Sequence, residues 1–118
     1  MATEKLLSAS DNVNHEYCYI APTRGQAKAL IWDKLKDRFD EFGWKYDKRE
    51  SELWIRRKST NTKIHVKGAE KFDRIRGPGF NGVIFDEFAD INIKAWKLAV
   101  RPTLSDRRGW CWFLGTPK

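Results

Sequence analysis

Three short apolar runs, YCYIA (17–21), VIF (83–85) and WCWFL (110–114), each close on small or polar residues: Pro22-Thr23, Asp86-Glu87 and Gly115-Thr116-Pro117. Between them the hydrophobic period is that of helices. After the first run Ala27, Ile31, Leu35 and Phe39 recur every four residues, joined by Leu30 and Phe42, while Lys28, Asp33, Lys36, Asp37 and Asp40 take the other faces. Before the last run Ala95, Trp96, Ala99 and Val100 mark a second helix, which Pro102 is expected to stop. Uninterrupted apolar strands that alternate with helices pair in parallel through right-handed crossovers. The chain is expected to be α/β.

Local punctuation places the other elements. Thr23-Arg24-Gly25-Gln26 reads as a capping box, in which the threonine oxygen accepts the amide of Gln26 and the glutamine reaches back to the cap amide. Gly43 ends the helix that follows. Residues 4–9 read as the tail of an earlier helix, broken by Asp11, Asn12 and Asn14. Over about 44–67 the period changes to two: Leu53 and Ile55 alternate with Trp54 and Arg56, and Ile64 and Val66 with His65 and Lys67. That pattern, with a turn at 59–62, predicts an inserted β-hairpin with one face in solvent and a short third strand at 44–47. Residues 69–75 read as a short helical turn, and Arg76-Gly77-Pro78-Gly79 as a tight turn.

A length of 118 residues fits one domain, 1–118, and excludes a two-domain enzyme. Hydrophobic residues make up 41%, six of them Trp, which is enough for a core. No uncharged stretch approaches the roughly 18–20 residues a bilayer requires. The start MATEKLLSAS lacks the apolar centre of a signal peptide, so an intracellular protein with no membrane contact is expected. Cys18 and Cys111 lie inside apolar runs and read as small buried hydrophobes, without a disulfide framework or metal-ligand spacing.

The chemistry concentrates where strands end. In a parallel sheet ligands bind beyond the carboxyl ends of the strands, where Asp86 and Glu87 would stand. A first carboxylate there can hold a Mg²⁺ that bridges nucleotide phosphates, and a second can orient or deprotonate water. The same pair can equally open the next helix, its charge favourable at a helix N-terminus. The order of the three motifs, in the wording CYIAPTRGQAKALIW, KGAEKFDRIRGPGFNGVIFDEFAD and AVRPTLSDRRGWCWFLGTPK, closely resembles the ATPase domain of tailed-phage terminase large subunits, the motors that package DNA into capsids. The resemblance runs from about Asn14 to Lys118.

The resemblance implies a partial P-loop NTPase core of the RecA/helicase-like kind. Of the family's strand order 5-1-4-3-2 it implies a short parallel sheet ordered 4-3-2, with flanking helices and the hairpin inserted. Residues 110–114 would then be an open apolar edge, and a homodimer through that edge is expected. By the same resemblance Asp86 is the Mg²⁺-coordinating Walker B aspartate and Glu87 the catalytic glutamate. Gly115 and Thr116 form the coupling motif, and Thr23 and Gln26 lie on the nucleic-acid side. A turn cap for Thr116 and a plain capping box for Thr23 and Gln26 stay open. ATP and Mg²⁺ are implied as cofactors, terminase or portal subunits as partners, and the host cytoplasm as location.

One departure weighs against these matches. A P-loop motor uses G-x-x-x-x-G-K-[ST] to cradle phosphates, and residues 1–118 contain no such pattern; residues 1–16 contain no glycine. The expectation is a truncated core without the phosphate-binding loop, in which residues 2–10 are what remains of the loop's helix. Phosphoryl transfer rests on positioning and electrostatics, so no tightly bound cofactor and no useful ATPase activity are expected of this chain alone. The formal charge of +7 gathers partly at Arg24, Lys28, Arg56, Arg57, Lys58, Lys63, Lys67, Arg74 and Arg76, with Trp54 nearby. Such a face can contact DNA, with Arg56, Arg57 and Lys63 foremost, or be an ordinary solvated surface. Three functions follow: a terminase-like fragment related to ATP-driven viral DNA packaging, a non-catalytic phage-derived DNA- or protein-binding module, and one half of a split enzyme whose phosphate loop lies on another polypeptide.

Overall fold

The computed structural model describes residues 1–75 and 79–115; of Phe72, Asp73, Arg74, Leu98, Ala99, Thr103, Ser105 and Asp106 it describes the backbone alone. Six strands, β1 (Glu16–Ala21), β2 (Tyr46–Arg49), β3 (Trp54–Arg57), β4 (Thr62–Gly68), β5 (Gly82–Phe85) and β6 (Trp110–Phe113), form one mixed sheet in the order β2-β3-β4-β1-β5-β6. The three apolar runs are neighbours as expected, β1 parallel to β5 and β5 to β6. The sheet does not stop at β1, however. β4 pairs in parallel with β1 from Glu16↔Lys63 to Ala21↔Gly68, and antiparallel β3 and β2 extend it outward. The expected short parallel sheet of three strands with an inserted hairpin is thereby corrected to a six-stranded mixed sheet. Alternation along β4 sets which side chains share a face, but carries nothing about which backbone edge they will fill. The free N–H and C=O groups of β1 have to find a partner, and β4 supplies it.

Helices cover both faces. On one lie α1 (Ala2–Ala9) and a long helix in three segments: α2 (Arg24–Ala27), a π-helical turn (Lys28–Trp32) and α3 (Asp33–Glu41). Leu6, Ile31, Trp32, Leu35 and Phe39 from these helices are buried in one cluster with Tyr17, Tyr19, Ile64 and Val66 of the sheet. Phe39 is fully buried, edge-on to Trp44 and Tyr46 at 5.3 and 5.4 Å, and its truncation to Ala should cost roughly 3–5 kcal/mol. Thr23 Oγ1 accepts the Gln26 amide at 3.1 Å, as the capping box requires. The return bond differs, since Gln26 Oε1 accepts the Thr23 hydroxyl at 3.2 Å. Gly43 ends the helix at φ +68°, a left-handed conformation natural to glycine.

On the other face a π-helical turn (Ala95–Val100) and α4 (Arg101–Arg107) bury Ala95, Val100 and Leu104 with Cys18, Ile20, Val83 and Phe85. Pro102 does not stop this helix, against expectation. The preceding turn is π-helical, and its wider backbone moves the carbonyl that a proline ring would otherwise strike. Residues Ala69–Ile75 form the expected short helical segment, kinked at Lys71. The turn expected at 76–79 lies outside the described residues except for Gly79, whose φ is +99°. Both cysteines are free, and burial pushes each thiol up to about 12, so they remain neutral packing groups. Among the described residues no helix is long and apolar enough to cross a membrane.

Candidate functional site

The parallel strands all end on one side of the sheet. After Phe85 the Asp86 amide still donates to the Ile20 carbonyl at 2.8 Å, which keeps the chain beside β1 for one more residue. It then turns through Glu87, held left-handed at φ 52°, ψ 45°. That conformation costs a side-chain-bearing residue roughly 1–2 kcal/mol. The Glu87 amide donates to Asp86 Oδ1 at 2.9 Å, while the Tyr19 hydroxyl donates to Asp86 Oδ2 at 2.5 Å. Next door, Leu114 donates to the Phe85 carbonyl at 2.7 Å and Phe88 to the Leu114 carbonyl at 3.0 Å. Asp86, Glu87 and Gly115 are therefore stitched together at the ends of β5 and β6. A Cβ on Gly115 would meet the Phe88 nitrogen at 3.6 Å, an ordinary contact. Thr116 lies outside the described residues.

Thr23 and Gln26 stand on the same side of the sheet, just past the end of β1. Gly68, at the end of β4, lets the two segments close up, since a Cβ there would lie 2.1 Å from the Arg24 nitrogen. Beside them is a cleft of about 470 Å³ floored by Val66, Gly68 and Ile75 and walled by Arg24, Lys67 and Glu70. Asp86 is not among its lining residues. The Glu70 carboxylate in that wall accepts the Arg24 amide at 2.7 Å, and the Arg24 guanidinium donates to the Ser51 carbonyl at 3.0 Å.

Among the described residues, neither Asp86 nor Glu87 takes part in an ion pair. The Tyr19 hydroxyl is pushed above its ordinary value by burial first, then by the hydrogen bond and charge of Asp86 and the charge of Glu87. It stays protonated and is a permanent donor. Tyr19 is the site residue that sequence reasoning missed. Inside YCYIA it reads only as a buried strand residue, and its link to Asp86 follows from the pairing of β1 with β5.

The basic residues of the hairpin are elsewhere. Arg56 is opposite Lys63, which is opposite Glu16 at the start of β1, so they occupy the amino ends of the parallel strands. Five residues of strand, about 16 Å, separate that level from Ala21. Arg56 pairs with Asp47 and donates to Asn61 Oδ1, Arg57 pairs with Asp11 at 2.6 Å and stacks on Trp44 at 3.5 Å, and Lys63 sits 4.3 Å over Trp54. The structure does not bring Arg56, Arg57 and Lys63 together with Thr23 and Gln26.

An oriented, uncompensated carboxylate is the donor a hard divalent cation takes. Both Asp86 oxygens are used once, by neutral donors, and each keeps acceptor capacity. Among the described residues no three His, Cys, Asp or Glu side chains converge. A Mg²⁺ at Asp86 would therefore complete its shell with water and phosphate oxygens, the usual habit of that ion. The residues present fit such an ion.

No family model matches the chain. It is 29% identical over 117 residues to the terminase large subunits of Thermus phage G20c and Thermus virus P23-45, covering 84% of this chain and 24% of each relative. It thus spans about a quarter of the length of those curated relatives. The ATPase domain of the large terminase of Thermus phage P74-26 superposes with a TM-score of 0.79 at 27% identity, over 99% of this chain and 52% of that one. The large terminase of another thermophilic bacteriophage, solved with ATP-gamma-S, shares the fold with a TM-score of 0.77 at 19% identity, over 99% of this chain and 29% of that one. Motif order, strand order and these likenesses agree: the chain is homologous to the ATPase domain of phage terminase large subunits.

Proposed function

We propose that this chain is the part of a terminase-type DNA-packaging ATPase that holds the metal and activates the water. Asp86 holds a Mg²⁺, which when bound would neutralise charge on the nucleotide's phosphate oxygens. Glu87 orients and deprotonates the attacking water. Gly115, hydrogen-bonded through its neighbour Leu114 to the turn after Asp86, passes the state of the site to the rest of the motor together with Thr116. One observation carries this reading: the Asp86 carboxylate, fixed by Tyr19 and by the Glu87 amide, has no ion-pair partner among the described residues and stands at the carboxyl end of a parallel strand. The large terminase of the thermophilic bacteriophage solved with ATP-gamma-S has also been solved with ADP, which supports a nucleotide as the ligand.

The 118 residues include no G-x-x-x-x-G-K-[ST], so most of a triphosphate's charge would go unmatched by this polypeptide. Assayed alone with Mg²⁺ and ATP, it should release phosphate at less than about 0.1 s⁻¹, below the roughly 1–10³ s⁻¹ of typical enzymes. Faster release that survives Glu87→Gln would overturn the role given to Glu87. Faster release abolished by Glu87→Gln would keep that role and overturn the dependence on a phosphate loop.

A second reading, a binding module, is favoured by the sheet's edge. β6 ends the sheet, with Phe113 47% exposed and Trp110 and Trp112 half-buried. A second copy pairing there would show as twice the monomer mass by light scattering at high micromolar concentration. Duplex DNA held through Arg56, Arg57 and Lys63 would be released steeply by salt. Retention that ignores salt would remove that contact.

A further inference from the structure

Tyr19 lies opposite Ile84 in the β1–β5 register, so it shares a face with Asp86 two residues further on. Its ring is 1% exposed, packed in the helix-side core with Tyr17, Ala21 and Ile84. The hydroxyl is thus delivered to Asp86 Oδ2 by a side chain that has no room to move. On the other oxygen the donor is the Glu87 amide, which belongs to the planar peptide unit that directly follows Asp86. Two immobile neutral donors, one on each oxygen, hold the carboxylate plane and leave its negative charge intact. A lysine or arginine in the place of Tyr19 would hold the plane and cancel the charge.

We infer that Tyr19 is the positioning residue for Asp86, setting the orientation in which its remaining lone pairs meet a divalent cation; this rests on the assignment of Asp86 to the metal. Groups that orient a metal-ligating carboxylate typically matter by 10–100-fold in affinity. Tyr19→Phe keeps the packed ring and removes only the donor.

The test is a Mn²⁺ titration of the ¹⁵N-labelled chain followed by paramagnetic broadening of its amide signals. In the wild type the Glu87 amide should broaden first. In Tyr19→Phe the midpoint should rise about tenfold. Incorporation of 3-fluorotyrosine at position 19, which keeps the hydroxyl, should restore it. Without metal, the two Asp86 β-protons should be distinct in the wild type and average in Tyr19→Phe as the side chain is freed. An unchanged midpoint in Tyr19→Phe, with clear broadening in the wild type, overturns the inference about Tyr19 and leaves the metal at Asp86 standing. No broadening at Glu87 in the wild type overturns the metal assignment itself, and the role of Tyr19 falls with it.

Discussion

The hairpin charges at the amino ends of the parallel strands and Asp86 at the carboxyl ends are held in different ways. At the amino ends cations meet anions: Arg56 and Lys58 pair with Asp47 and Arg57 with Asp11, and the His65 ring is hydrogen-bonded to Glu16. At the carboxyl ends Asp86 takes a phenol and an amide, Glu70 takes an amide and Arg24 gives to a carbonyl, while Glu50 in the turn beside Arg24 still pairs with Lys36 and Lys48. A pair of opposite charges ties the hairpin to the rest of the chain and leaves little net field. A charge held by dipoles is oriented but not neutralised, and it still attracts a counter-ion. The amino ends use charge for structure. At Asp86 the carboxyl ends leave a charge with no ion-pair partner among the described residues.

This contrast can be broken by mutation. The largest effect is expected at Gly68, because a Cβ 2.1 Å from the Arg24 nitrogen meets backbone that cannot rotate away. Gly68→Ala should lower stability in urea unfolding by about 3 kcal/mol, whereas Gly115→Ala should change it by less than about 0.5 kcal/mol. Next comes a matched pair. Arg57→Met removes the partner of Asp11 and the cation over Trp44 and should cost about 1–2 kcal/mol, while Asp86→Asn should stay within about 0.5 kcal/mol. Equal losses for the two would erase the distinction between the two ends of the strands.

Glu87→Gly should stabilise by about 1 kcal/mol by relieving the left-handed backbone, with Glu87→Gln unchanged. A loss of stability with Gly would show that the glutamate side chain holds the turn. The smallest effect is at Glu16. Burial pushes its carboxyl up, but the His65 hydrogen bond and charge, with Lys63 and Arg107, bring it below the ordinary value of 4.5. Its folded state is thus the better acid, so the stability it contributes is present above pH 4.5 and disappears as pH falls through the lower folded value. His65→Gln should cost less than about 1 kcal/mol at neutral pH, and the difference should fade in acid unfolding curves below that range.

Much of this was legible in the residues themselves. The APT, DE and GTP motifs after apolar runs predicted parallel strands, and Asp86, Glu87 and Gly115 do gather where β5 and β6 end. Thr23 caps its helix as its spacing to Gln26 suggests. Three readings went astray for local reasons. Pro102 looked like a stop because a sequence does not show that the turn before it is π-helical. The parallel sheet looked shorter because alternation says nothing about the edge β4 fills. Arg56, Arg57 and Lys63 looked suited to nucleic acid along with Thr23 and Gln26, yet the direction of β3 and the start of β4 put them at the far end of the sheet from those two.

By itself the sequence determined the periodicities, and with them which residues face a core, and the order in which acidic, small and polar residues leave the strands. These are properties of a chain with a fixed rise and a fixed side-chain alternation, and they survive without knowledge of neighbours. Only the tertiary structure decided that Tyr19 meets Asp86, sixty-seven residues apart in the chain, and that the hairpin arginines are taken up by Asp47 and Asp11. Hydrogen bonds and ion pairs act over about 3 Å, so whether a charge is spent or kept depends on which strands end side by side.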